Sequence, residues 1–223
     1  MPLRQTIFPG LIVLLLFTAC QKKEVQLPLI DLPGISEIQN HSSIWVFMKN
    51  DKGKKMADLN KNNKIINTHW IYNMDRRLPM KEVVPILINM QKNKYKDSMH
   101  KKGGMKSYFS YADTESESIS LLLFPRTKFV SDSLQLIKEV ERRSCSVVLE
   151  LLEDEFLIKG RSYPLVEMPE IIAKEVPCEQ GEQLKVLLKY QDDTQYQTYL
   201  EAKVYLNAYD IRCDSIEYFD TVK

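Results

Sequence analysis

Read for the rhythm of its hydrophobic positions, the chain changes character several times. Residues 11–17 form an unbroken apolar run behind Arg4, closed by the small residues Thr18 and Ala19 in front of Cys20. A basic start, an apolar middle and a small-residue end are the layout of a cleaved secretory signal, and the run is far short of the roughly 18 to 20 residues a membrane-spanning helix needs. Residues 25–40, with Pro28, Pro33 and Gly34, keep neither a helical nor a strand period and read as a linker. Residues 43–48 are apolar and β-rich, and residues 65–74 favour strand again. From Pro79 the period lengthens. Met80, Val83, Val84, Leu87 and Met90 fall on one face at three- and four-residue spacing, which predicts a helix that Pro85 kinks or splits after its first turn. Residues 106–111 and 119–124 read as two strands across the acidic turn 113–117, and residues 133–143 as a short amphipathic helix capped by Ser133.

The second half is more regular. Residues 147–152 and 156–159 predict a hairpin across Glu153-Asp154-Glu155, followed by a helix over 165–174, a strand over 184–189, a helix over 194–208 and a closing strand over 211–218. Tyr196, Leu200, Val204 and Ala208 make the i, i+4 stripe of a helix lying on a sheet. The expected fold class is therefore α+β, two small strand-helix modules with the second in the order ββαβαβ. The expected divisions are a signal peptide at 1–19, a tether and linker at 20–42, an N-terminal module at 43–130, a connecting helix at 131–144 and a C-terminal module at 145–223. Residues 75–83 align without gaps on residues 160–168, sharing Arg, Pro and Glu, so a repeated strand-turn-helix unit is one reading. The other is that Pro at a helix start and an acid in its first turn are favoured everywhere.

Charge adds an exclusion. The full chain has 31 basic and 30 acidic side chains, and removing residues 1–19 with Arg4 leaves a body with no net charge. Such a body has no bulk electrostatic reason to seek nucleic acid or an acidic membrane surface. Small residues ending on Cys20 resemble the lipobox of bacterial lipoproteins, although Phe17 fits that box loosely. The resemblance implies lipidation of Cys20, cleavage after Ala19 and a membrane held through acyl chains; the alternatives are an ordinary signal or an uncleaved anchor. Gln21-Lys22-Lys23-Glu24 is similar to the charged tag that sends lipoproteins of some Bacteroidota to the cell surface, with Lys23 where an acid is usual; otherwise it is a solvated tether. The expected location is the cell envelope, lipid-anchored at the outer membrane, on its periplasmic face or at the cell surface.

Residues 156–161, the segment Pro164-Leu165-Val166-Glu167-Met168, the strand at 184–189 and the helix ending at 208–211 resemble the periplasmic domain of the TolR/ExbD biopolymer-transport family. Pro164 stands where the family has a capping Ser and Tyr209 where it has Gly, and the family's transmembrane helix with its proton-carrying acid is absent. The resemblance implies a non-catalytic envelope module that binds a protein partner or cell-wall polymer, linked to an energy-transduction or biopolymer-transport system.

Candidate chemistry is sparse. Tyr196, Tyr199, Tyr205 and Tyr209, if exposed on one face, would offer flat contact area with polar tips to a partner. His69, Asp75 and His100 are the residues on which a metal-dependent or acid-base hydrolase would be built, the alternative class, although their spacing carries no motif. The Asp58-Leu59-Asn60-Lys61-Asn62-Asn63 stretch has acids and amides in EF-hand rhythm, but Asn63 replaces the turn Gly and His69 the terminal Glu, so it reads as a polar turn. The lysines of 92–102 read as a solvated basic loop. No resident cofactor or metal is expected. With Cys20 lipidated, Cys145, Cys178 and Cys213 remain, and Cys145–Cys213 is the pair to test for a disulfide against the alternative of buried free thiols.

Overall fold

The structure is a computed structural model describing residues 23–60, 62–65, 67–95, 104–124, 127–130, 145–176, 178–179, 182–208 and 215–221. Among these residues it is a mixed α+β fold with two sheets and three α-helices. None of these helices is long and apolar enough to cross a membrane.

The first sheet holds β1 (Leu29–Ile30), β2 (His41–Asp51), β3 (Lys54–Leu59), β4 (His69–Met74), β5 (Ser107–Asp113) and β6 (Ser118–Leu123), with α1 (Met80–Tyr95) between β4 and β5. Ser42, Ile44 and Val46 are buried while Ser43, Trp45 and Phe47 are only half-buried, the period-two pattern of a strand with one face on the core. Lys52 and Gly53 both take positive φ, 50° and 81°, which suits the two-residue turn that reverses β2 into β3. β4 runs parallel to β2 and β5 and lies between them, so its residues 70–74 are buried on both faces. The α1 face predicted from spacing is the buried one: Met80, Val83 and Leu87 are fully buried, Val84 and Met90 nearly so. Pro85 neither splits nor ends the helix. It sits on the exposed side, where the carbonyl that loses its helical donor faces water.

The second sheet holds β7 (Thr127–Val130), β8 (Ser146–Leu151), β9 (Glu155–Ile158), β10 (Arg161–Pro164), β11 (Gln183–Lys189) and β12 (Ser215–Thr221) in the order β10-β9-β8-β11-β12-β7. A 3-10 turn (Leu165–Glu167) leads into α2 (Met168–Glu175), and α3 (Tyr196–Ala208) joins β11 to β12. Two expectations need correction. Lys159 and Gly160, at φ 50° and 77°, turn the chain back into a third antiparallel strand, β10, so the order is βββαβαβ. Residues 127–130, grouped by sequence with the N-terminal module and given no element there, form β7, which pairs parallel with β12 in the second sheet. The segment 133–143 lies outside the described residues.

The disulfide is a further correction. Cys145, immediately before β8, is bonded to Cys178, just past α2, their Cα atoms 4.6 Å apart; Cys213 lies outside the described residues. The return of the chain after α2 brings Cys178 to the amino end of β8, within the reach a disulfide requires.

The two sheets share a plan. In each, a hairpin is followed by a strand that pairs parallel with the hairpin's first strand, then a helix, then another parallel strand: β3-β2-β4-β5 and β9-β8-β11-β12. The two helices begin 116 positions apart, at Met80 and Tyr196, and their starts meet across an antiparallel bridge between Pro79 and Gln195. The hydrogen bonds there come in exchanged pairs. Met80 N donates to Thr194 O as Tyr196 N donates to Leu78 O, and Lys81 N donates to Asp192 O as Gln197 N donates to Arg76 O, at 2.8 to 3.1 Å. Every partner in one pair is 116 positions from its mate in the other, which is a local two-fold relation between the modules. Burial follows the same offset: Met80 and Tyr196, Val83 and Tyr199, Val84 and Leu200, Leu87 and Lys203, Met90 and Leu206 are all buried. The 75–83 with 160–168 alignment is not this repeat, since it sets a turn and helix start on the strand β10.

Residues 23–38 are not a free linker. Gln26 is bonded to the β4–α1 turn, β1 pairs with β5, Ile35 bridges to Leu121, and Ile38 packs on the small cluster of Ile71, Tyr108 and Leu121 behind the sheet. Because β6 holds one edge of β5 along its length, β1 shares the other edge with β4, continuing past its end. The segment has no period because it makes a series of single contacts. Gln197 of α3 clamps Leu29 by accepting from its N–H and donating to its carbonyl, 2.9 and 2.8 Å, which ties the segment to the second module.

Candidate functional site

In an open sheet with parallel strands, ligands settle outside the carboxyl ends of two neighbours whose connections leave in opposite directions. β8 and β11 meet that condition. The chain leaves β8 toward β9 on one side and leaves β11 through α3 toward β12 on the other. A cleft of about 520 Å³ opens there, lined by residues 151–155 of the β8–β9 hairpin and by Gln191, Asp193, Thr194 and Gln195 of the β11–α3 loop. The hairpin and the loop are each short and fixed. Leu152 N donates to Glu155 O, Thr194 N donates to Gln191 O, and Gln191 N donates to the Thr194 hydroxyl. Glu153, Asp154, Glu155 and Asp193 are all exposed and acidic, so the cleft presents one sign of charge although the body as a whole is balanced.

The start of α3 is not an anion site, despite its place at the cleft. Its first N–H groups are already bonded to Leu78 and Arg76 carbonyls of the first module. One turn further on, burial lifts the Glu201 carboxyl above the ordinary glutamate range; Gln197 and Tyr205 hydrogen bonds draw it back in part, and Asp154 adds to the rise. Burial, then the Glu201 charge beside it, pushes the Tyr205 hydroxyl up to about 12. Glu201 thus holds its proton to higher pH than a free glutamate, a few residues from the acidic wall.

The corresponding place in the first module is closed. Lys23 Nζ sits 2.6 Å from Asp58 Oδ2 and 5.6 Å from the centre of the Phe47 ring, on the β2–β3 hairpin. Gln26 N donates to Asp75 Oδ2 at 3.3 Å, and Arg76 N donates to Gln26 O at 2.7 Å. Burial by itself would raise the Asp75 carboxyl, but the Arg77 side chain, bonded through Nε and Nη2 at 2.8 and 2.7 Å, with the Arg77 and Gln26 N–H groups, holds it below the usual carboxylate range.

The residues proposed from sequence fare unevenly. Tyr196 and Tyr199 are fully buried and Tyr205 nearly so, because α3 lies under both sheets, with the Tyr196 ring 6.2 Å from Phe109; they are core, not an exposed face. Tyr209 and His100 lie outside the described residues, as does Cys20. His69 and Asp75 stand at opposite ends of β4, roughly 20 Å apart at the rise of an extended strand, and the fold does not bring them together. His69 Nδ1 accepts the Lys106 N–H, and Asp75 is committed to Arg77. Asp58 is bonded to Lys23 and Asn60 caps its own turn through the Asn62 N–H, as the polar-turn reading requires. Among the described residues no three His, Cys, Asp or Glu side chains converge as a metal would need. The acidic cleft was missed. Its signal was present as two acidic turns, 153–155 and 192–193, each at the carboxyl end of a predicted strand.

No known protein family, curated protein or solved structure matches the chain.

Proposed function

We propose that this chain is an envelope lipoprotein, tethered through Cys20 after loss of residues 1–19, whose folded body binds a protein partner or a cell-wall polymer without transforming it. The observation that carries the reading is the open acidic cleft at the carboxyl ends of β8 and β11, a fixed binding surface with polar groups along both walls. The Cys145–Cys178 disulfide supports an oxidising compartment, as an exported body requires. Apart from β10, the element order from Ser146 to Thr221 is the one the TolR/ExbD resemblance implies, and it supports a place beside an energy-transduction or biopolymer-transport system. Two or three acyl chains hold a protein to a bilayer stably, so the body needs no membrane-binding surface of its own.

The test is metabolic labelling with palmitate together with fractionation of Cys20→Ser. Label in the wild-type chain and release of the variant from the membrane fraction are the expected results. Absence of label, or unchanged fractionation of the variant, overturns the anchor.

A further inference from the structure

We infer that the acidic cleft takes an extended polypeptide segment of a partner protein carrying a Lys or Arg, in the place that residues 23–26 hold in the first module. This deepens the binding reading above and rests on it.

The local two-fold relation supplies the template. Met74, the last residue of β4, pairs with Val46 on β2; 116 positions on, Tyr190 falls opposite Leu151, one step past the Lys189–Glu150 pair. Val46 pairs across its hairpin with Leu59 and Leu151 with Phe156, so the next pair, Phe47 with Asp58, corresponds to Leu152 with Glu155. In the first module that pair receives Lys23, its ammonium on the Asp58 carboxylate and beside the Phe47 ring. The second module repeats an apolar side chain and an acid at the same two positions, and both line the cleft. Glu155 already accepts the Ser162 hydroxyl and, as an exposed carboxylate, has acceptor capacity left for a cation.

Three residues along the segment, Arg76 N donates to Gln26 O. Its counterpart, Asp192 N, has no bond to a protein acceptor among the described residues, while the Asp192 carbonyl holds Lys81 N. Burial separates the two loops in the same sense. Asp75, Leu78 and Pro79 are buried, whereas of Gln191, Thr194 and Gln195, their positions plus 116, the first and last are exposed and Thr194 is only partly covered. One module is closed by a segment of the chain itself, and the other presents the same frame open. A basic side chain between Leu152 and Glu155, with a backbone carbonyl three residues later on Asp192 N–H, is the ligand that frame fits. Glu153, Asp154 and Asp193 extend the attraction along the cleft.

The probe is a fluorescent hexapeptide copying residues 23–28, titrated by anisotropy into the full chain in detergent micelles, with a second peptide in which its Lys is Glu. Asp192→Pro removes the one N–H at position i+1 of the 191–194 turn, where Pro is favoured, and Glu155→Lys reverses an exposed charge; neither touches the segment bound in the first module. The expected result is saturable binding that weakens about tenfold with the Glu peptide and with Glu155→Lys, and several-fold with Asp192→Pro, in proteins of unchanged circular dichroism. No saturable binding, equal binding by both peptides, or affinity unchanged in both variants overturns the inference. So does competition by spermidine at the peptide's own concentration, since charge alone would then suffice. Loss of peptide binding with palmitate incorporation intact removes only the ligand class, and the converse removes only the anchor.

Discussion

Asp75→Asn is the substitution in which the fold and the closing of the first module are tested together. The wild-type carboxylate is fully buried and accepts four hydrogen bonds, from Arg77 Nε, Nη2 and N and from Gln26 N, between 2.7 and 3.3 Å. Asparagine keeps one acceptor oxygen and sets an NH₂ against donors. Removing one member of a buried pair costs about 3 to 5 kcal/mol, but the Arg77 side chain is 35% exposed and stays partly hydrated, so the expected loss is about 2 to 3 kcal/mol. That is a large part of the 5 to 15 kcal/mol typical of a folded domain. The assay is urea denaturation at pH 7, read alongside amide exchange at Gln26 and Ala112, whose bonds hold the N-terminal segment. Both amides should exchange faster in the variant. The pH dependence has a defined sign. A carboxyl held below its unfolded value adds stability above that value and loses it as pH falls through the folded value, so the gap between wild type and variant should close in acid. A gap under about 0.5 kcal/mol at pH 7, within the range of ordinary surface substitutions, would refute the role given to Asp75.

Three further outcomes are expected. Cys178→Ser should lower the denaturation free energy by about 3 to 4 kcal/mol, the loop-closure value for a separation of 33 residues, and peptide mapping should show Cys145 joined to Cys178 and not to Cys213. Gly34→Ala should cost about 1 to 3 kcal/mol, because its Cβ would collide with the hydroxyl of the buried Tyr111 and come within 3.0 Å of Leu121 O; an unchanged midpoint would show that the crossing of the segment over β6 is looser than this. Glu201→Gln should leave stability unchanged below the ordinary glutamate value and raise it at neutral pH, since a carboxyl whose folded value is raised loses its contribution as pH rises through that value; equal curves at pH 4 and pH 8 would contradict it.

Where an element carried a run of apolar residues with a clear period or a polar turn at its end, it was legible in the sequence. The α1 face, the β8–β9 hairpin and the β5–β6 hairpin across its acidic turn, where Asp113 accepts the Glu115 and Ser116 N–H groups, were all anticipated. Elements held by tertiary context were not. β10 is a four-residue strand set by the Lys159-Gly160 turn, β7 is four residues long and pairs with a strand more than eighty positions later, and β1 is two residues. The tyrosines of α3 misled for a related reason. Tyr is common both in cores and at interfaces, and only what packs on the helix from distant parts of the chain, Phe109 on Tyr196 and β1 along α3, decides which it is here.

The repeat was hidden from residue identity but not from physics. Between 70–90 and 186–206 no position keeps the same residue, yet residues 70–72 of the strand and all five buried positions of α1 have buried counterparts under one offset. What a strand-helix unit must preserve is which positions face the core, and large side chains replace one another there at small cost if volume and pattern are kept. The loop between strand and helix is under a different constraint, because it meets whatever closes the sheet's end. In the first module that loop carries Asp75, buried against a segment of the same chain and bonded to the half-buried Arg77; in the second it carries Gln191, Asp192 and Asp193, turned to solvent. The two loops therefore differ in burial at the place where one copy has been sealed and the other left open. That asymmetry, more than the cleft's volume, is why the second loop and its hairpin are where binding should be sought.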